Sequence, residues 1–425
     1  MKTEDAHPPH LRFNFAMGLV HGILFRAGTA FSEPMSVLPI FLEHFTSSRT
    51  MIGVFSALIS GGGVFPQLFV ANKVERKRRK KPVLLWAIWA RMACWGILAG
   101  ITYFWIGSKD PLVLLIAFIM LLFTFSFCGG VASIPFFDIW SKAIPPTLRG
   151  RFFGHRQFWG GLMAVGAGYV VKRILGNTDL TFPENYALLF SLSFIFIGLS
   201  YVGLSSVREP EGQPNPEKRN FRSFLRESLR ILWKDKNFGR FMLARLAGSF
   251  GSLAMPFYVL YATAELGISI KQVGIFVAAR MVGAITSNLL WAQLSDRIGN
   301  RIVIVLCTVS GTLVPLLAIL APSVGHGLMV VVFVLVGFSI SGGMIGYKNY
   351  LLEIAPEPSR PAYLSLDGTL SGATMFLPVL GGVVADAFSY RAVFALALAV
   401  LTVAFLLSLR LKAVRKRERE SLFNM

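Results

Sequence analysis

Long apolar runs, cut by short basic loops, constrain this chain more than any other feature. Many run past the roughly 18 residues that a helix needs to cross the hydrocarbon core of a bilayer. Read at that length, the sequence predicts twelve spans, at about 13–41, 51–72, 83–106, 111–141, 152–173, 186–206, 239–264, 272–294, 302–321, 328–354, 362–386 and 391–410. Each span must satisfy its own backbone in lipid, so each is expected to be a helix. The ten-residue alternation of an outer-membrane barrel is absent. Composition agrees: 54% of residues are hydrophobic and 15% charged, against about 45–50% and about 25% in soluble domains. The expected fold class is an all-α membrane protein.

The net charge of +20 would suit a nucleic-acid partner if it were spread over one surface. It is not. About three quarters of the Lys and Arg fall in one alternate set of loops and in the tails, the bias that sets orientation in a membrane. Both termini are therefore expected in the cytoplasm, with an anionic inner leaflet as the lipid partner and no nucleic acid. No leader with a cleavage site is read before the first apolar run. Cys94, Cys128 and Cys307 all lie in apolar runs, which gives neither a disulfide framework nor a metal site.

Three domains are expected: 1–206, a linker at 207–238, and 239–425. The linker opens on Arg208-Glu209-Pro210 and continues from Phe221 to Trp233 with apolar residues at helical spacing and Arg between them. That pattern predicts a basic amphipathic helix on the inner leaflet. The flanking halves repeat each other. Ser32-Glu33-Pro34-Met35 matches Ala254-Met255-Pro256-Phe257. Met51-Ile52-Gly53-Val54-Phe55 matches Gln272-Val273-Gly274-Ile275-Phe276, and Pro145-Pro146-Thr147-Leu148-Arg149 matches Pro356-Glu357-Pro358-Ser359-Arg360. Matches in the same order at a near-constant offset mean a duplicated six-helix unit.

Between the eighth and ninth runs stands Gln293-Leu294-Ser295-Asp296-Arg297-Ile298-Gly299-Asn300-Arg301. With Gln293 in place of a first glycine, this loop resembles the G-x-L-x-D-R-x-G-x-R mark of the major facilitator superfamily. The first-half copy, Lys73 to Lys81, keeps an acid–base pair at Glu75 and Arg76 but loses the glycines. The resemblance covers nearly the whole chain and implies two six-helix bundles and a monomeric secondary transporter of the cytoplasmic (inner) membrane. No subfamily is identified. Leu112 to Thr124 lacks the arginine of drug/proton antiporters, and the fifth span lacks their Gly-Pro pair.

Ionisable residues at bilayer depth are costly and are functional candidates by default. On the resemblance, the substrate or proton pathway is expected at Arg26, Glu33, Arg245, Arg280 and Lys348. Arg26 and Glu33 are read as one helix face two turns apart, with a kink at Pro34. Lys348 is read either as facing the cavity or as reaching to the inner interface. Arg91 could pair with Glu33 or another internal acid. Gating is expected at Glu75, Arg76, Asp138, Arg156, Asp296, Arg297, Arg301 and Asp367. Repeat alignment sets Asp367 opposite Arg156. The surplus of bases points to an organic anion as substrate. A multidrug-type efflux pump, or a non-transporting assembly or sensor protein on the same fold, stands beside that reading. There is no Walker loop, no H-E-x-x-H and no usable Ser/His/Asp set, so neither an enzyme nor a cofactor is expected.

Overall fold

The computed structural model describes residues 10–63, 66, 78–104, 110–210, 232, 234–356 and 360–413. No strand occurs among them. The helices are α1 (Leu11–Phe31), α2 (Val37–Glu43), α3 (Arg49–Gly62), α4 (Lys81–Phe104), α5 (Pro111–Ala143), α6 (Pro146–Leu175), α7 (Glu184–Ser206), α8 (Lys236–Gly248), α9 (Gly251–Ala254), α10 (Phe257–Ala264), α11 (Val273–Arg297), α12 (Asn300–Val324), α13 (Leu328–Ile354), α14 (Arg360–Ala373), α15 (Leu377–Ala387) and α16 (Tyr390–Leu409). Among the described residues, nine stretches are long and apolar enough to cross a membrane, two of them assembled from the consecutive segments α8–α10 and α14–α15. Two other expected spans fall on α1–α2 and α6, which are helical, and the described part of the span at 51–72 falls on α3. Arg12, Asn14, His21 and Arg26 dilute α1, and Arg149, Arg151, Arg156, Lys172 and Arg173 dilute α6.

Helix ends follow their local chemistry. Asp110 caps α5 by accepting from the Leu112 amide at 2.7 Å, with Pro111 in the first turn. Asp235 caps α8 through the Asn237 and Phe238 amides, and Ser389 caps α16 through Ala392. Gly299 turns the chain between α11 and α12 at φ 111°, a conformation that side chains rarely tolerate.

The chain forms two compact units. The first comprises Met1–Ser47, Phe55–Lys218 and Ser269–Ala278; the second comprises Ser48–Val54, Arg219–Ile268 and Ala279–Met425. In the first unit, α1 packs on α6 and α7, and α4 packs on α5 and α7. Phe41, Phe118, Tyr186 and Phe190 fill its interior, with ring centroids of Phe41 and Phe118 4.9 Å apart. In the second unit α12 is central, packed on α13 and α16. A buried cluster of Phe238, Phe241, Tyr350 and Tyr363 joins α8, α13 and α14.

The expected kink at Pro34 is a full break. Helix α1 ends at Phe31, and Ser32 to Ser36 form a turn held by Glu33. The Glu33 carboxylate accepts from the Met35 amide at 3.0 Å and the Ser36 hydroxyl at 2.7 Å. Its carbonyl accepts from Val37 at 3.0 Å and Leu38 at 3.2 Å. Glu33 therefore does not continue the Arg26 helix face. Because Pro34 cannot donate an amide, the ladder stops there, and the glutamate is used to restart it.

Candidate functional site

Three arginines of the first unit come from three helices: Arg26 on α1, Arg91 on α4 and Arg156 on α6. Each faces a glycine on a neighbouring helix. A Cβ at Gly22 would collide with the Arg156 side chain. One at Gly160 would lie 2.9 Å from Arg26 Cγ, and one at Gly129 would lie 3.2 Å from Arg91 Cζ. The absent side chains make room for the three arginine stems.

The guanidinium groups are met mainly by rings and an amide. Arg26 donates to Gln157 Oε1 at 2.7 Å. Arg91 Cζ stands 4.1 Å from the Phe125 ring centre and 5.4 Å from that of Phe25. Arg156 Cζ stands 5.0 Å from the Phe136 centre. Buried His21 links the two ring systems, with centroids 5.6 Å from Phe25 and 5.8 Å from Phe136. Its Nδ1 shares a 2.6 Å hydrogen bond with Ser200 Oγ, and Tyr201 covers the ring from 6.1 Å. Among the described residues, no carboxylate reaches Arg91 or Arg156 at ion-pair distance, and Arg91 Nε is buried with no hydrogen-bond partner. All three side chains nevertheless stay partly exposed.

The second unit solves the same problem with an acid. Arg245 on α8 forms an ion pair with Asp367 on α14, donates to Ser371 Oγ at 2.9 Å, and lies 5.1 Å over the Tyr347 ring. Asp367 is thus held by a base of its own unit, and Arg156 rests on Phe136. The neighbour chosen by α14 is α8, which repeat alignment alone does not identify. Arg280 lies on α11 with its side chain half-buried. Lys348 is exposed on α13, while Tyr347 and Tyr350 on either side are buried.

Of the expected gating residues, Asp138, Asp296, Arg297 and Arg301 lie near helix ends. Asp138 accepts from Lys80 Nζ at 2.6 Å and also pairs with Lys142. Glu209 fastens the same end by accepting from the Lys80 and Lys81 amides at 2.8 and 2.9 Å. At the turn between α11 and α12, Ser295 donates to Asn300 Oδ1 and Asn300 donates to Glu353 Oε1, both at 2.7 Å. Arg301 donates to the Leu409 carbonyl at 2.8 Å, at the negative end of α16. Asp296 and Arg297 are exposed on this turn. Glu75 and Arg76, the linker helix from Phe221, and the tail beyond 413 lie outside the described residues.

One polar joint has no counterpart in the sequence reading. Asp386, near the end of α15, caps the start of α3. It accepts from the Arg49 amide at 2.9 Å, the Thr50 amide at 2.8 Å, the Thr50 hydroxyl at 2.7 Å and the Ser48 hydroxyl at 3.2 Å. Gly53 and Gly382 let the two backbones approach there. In the first unit, Gly168 on α6 and Gly274 on α11 make a similarly close approach without a carboxylate.

Residues 240–423 match the family model of the Major Facilitator Superfamily. The whole chain overlays a bacterial homologue of the iron transporter ferroportin in its inward-facing state with a TM-score of 0.72, covering 94% of this chain and 98% of that one at 16% identity. The C-terminal part of the chain resembles the major facilitator superfamily in sequence, and the chain shares the fold of these transporters. A transporter of the POT family in complex with 5-aminolevulinic acid overlays with a TM-score of 0.69 at 11% identity, covering 96% of each chain. At these identities the likeness is one of fold. In sequence, the chain is 29% identical over 192 residues to "Multidrug resistance protein MdtG" of Proteus mirabilis (strain HI4320), covering 43% of this chain and 44% of the relative. It is 33% identical over 172 residues to the protein of the same name from Enterobacter lignolyticus (strain SCF1), covering 39% and 40%. The chain spans less than half the length of the curated relatives it matches.

Proposed function

We propose that the protein is a secondary active transporter that moves a small molecule by alternating access, driven by a gradient. The observation that carries this reading is the set of charged side chains kept, partly exposed, on bilayer-depth helices: Arg26, Arg91 and Arg156 in one unit, Arg245 and Asp367 in the other. A charge at that depth costs free energy whether it faces lipid or apolar packing, and persists where it lines a path for solvent or substrate. The helix ends supply fastenings of the kind a two-state carrier must make and break: Asp138 with its lysines, Arg301 on the α16 terminus, and the exposed Asp296–Arg297 turn. Asp296→Asn should alter transport rate more than substrate affinity.

The protein works as a monomer in the plasma membrane, with both termini and the 207–238 linker at the cytoplasmic face. The basic loops support that orientation. Cysteines placed at Ser206 and Ser421 should resist an impermeant thiol reagent added outside intact cells; the native cysteines are buried. Labelling of either from outside reverses the assignment.

Purified protein in proteoliposomes, under an imposed proton or sodium gradient, tests the main reading. Accumulation of a bound compound above its equilibrium level supports it. Compounds that bind but never cross the membrane favour a sensor on the same fold. Efflux of drugs is the second reading, favoured by the name of the MdtG relatives and by the aromatic surfaces of Phe25, Phe125 and Phe136.

A further inference from the structure

We infer that the first unit carries an anion-binding site of its own, built from Arg91 and Arg156 on a floor of aromatic rings, and that its ligand is an aromatic carboxylate. The inference deepens the transport reading by naming the substrate class of that site. Three observations converge. Among the described residues, Arg91 and Arg156 have no carboxylate within ion-pair distance, and Arg91 Nε has no acceptor. Both residues stay partly exposed, although Arg91 Nε itself is buried. The surfaces between them are rings: Phe125 and Phe25 under Arg91, Phe136 under Arg156, with His21 and Tyr201 joining them.

The chemistry of the ligand follows from the lining. A planar guanidinium group, offering several N–H donors, matches a carboxylate. Phe rings supply no hydrogen bonds, so the rest of the ligand must be apolar, and an aryl group meets ring edges and faces favourably. A small, fully hydrated anion would lose its water without using those rings. Gly22 and Gly129 hold the geometry, because a side chain at either position displaces the arginine it faces. Gln157 accepts from Arg26 at 2.7 Å, beside the site. The same arginines could instead be packing residues, held only by their cation–π contacts. The two roles predict opposite responses to removal of the charge.

The test is equilibrium calorimetry on the full chain in nanodiscs, with 1-naphthoate as probe, its neutral analogue 1-naphthamide as the charge control, and inorganic phosphate as the hydrated-anion control. Naphthoate should bind at least tenfold more tightly than naphthamide and than phosphate. Arg91→Gln and Arg156→Gln should each weaken naphthoate binding about tenfold, roughly 1.4 kcal/mol, and leave naphthamide unchanged. The corresponding lysine variants should recover part of the loss. Without ligand, both glutamine variants should melt at or above the parent temperature, since they remove uncompensated charge. The inference is overturned if naphthoate and naphthamide bind alike, if naphthoate does not bind, if phosphate binds as well as naphthoate, or if the glutamine variants melt lower while binding is unchanged. Binding needs no gradient, so a protein that binds naphthoate but transports nothing contradicts the transport reading alone. Gradient-driven transport indifferent to ligand charge contradicts this inference alone.

Discussion

Arginines at bilayer depth are stabilised in two different ways in the two units. In the second, Arg245 is neutralised by Asp367 and further engaged by Ser371 and Tyr347. In the first, Arg91 and Arg156 rest on rings with no acid within ion-pair distance among the described residues. A closed ion pair is self-satisfied, and breaking it leaves a charge in low dielectric. A cation on a ring keeps most of its electrostatic demand, and an anion from outside can meet it. The difference separates a fastening from a binding surface, although both are made from the same residue type.

The largest effect expected from this contrast is on stability in the second unit. Asp367→Asn leaves Arg245 uncompensated and should cost about 2–3 kcal/mol, the lower part of the range for broken buried pairs because both side chains keep some solvent contact. Replacing Arg245 and Asp367 together by leucine should recover most of that loss. Thermal unfolding in detergent measures both. A double variant no more stable than Asp367→Asn would show that the pair is not the fastening described. In the first unit, Gly22→Ala should cost about 1–3 kcal/mol by overpacking and should weaken anion binding by moving Arg156. Unchanged binding in that variant would separate the glycine seat from the site. Asp386→Ala removes a four-donor cap from α3 and should cost about 1–2 kcal/mol. Asp386→Asn, which keeps an acceptor oxygen, should cost less. The smallest change belongs to Arg301→Gln, about 0.5 kcal/mol from loss of a charge at the α16 terminus, and this loss should shrink in high salt.

The sequence carried the fold further than the site. Apolar runs locate the helices because burial in lipid demands length and composition, and both are local properties. The turn at Gly299 was legible for the same reason: a glycine at positive φ between two runs leaves a mark on the chain itself. The polar contacts were not local. The spacing of Arg26 and Glu33 fits one helix face only if the helix runs through Glu33, and it ends at Phe31. Asp367 lies at its repeat-predicted position, but its partner depends on α8 being the neighbour of α14, which no spacing encodes. Arg91 stood out beside His21, both being ionisable residues that lie in apolar runs of the sequence. That they meet through Phe25, and that each arginine faces a glycine of another helix, is a property of the packed unit. Gly22 and Gly129 were the available signal, since a glycine in a transmembrane helix marks close approach, but not what approaches. The Asp386 cap joins residues more than three hundred positions apart and had no local signal at all.

The account rests on the claim that the unneutralised arginines of the first unit hold an anion that the protein carries. Counterflow of radiolabelled 1-naphthoate in proteoliposomes preloaded with unlabelled compound tests it most directly. It requires both binding and passage, and needs no knowledge of the coupling ion. The parent should show a transient accumulation of label that the Arg91→Gln, Arg156→Gln double variant loses and that preloading with 1-naphthamide does not produce. Equal counterflow in the parent and the double variant, or none in a parent that binds naphthoate, would contradict it.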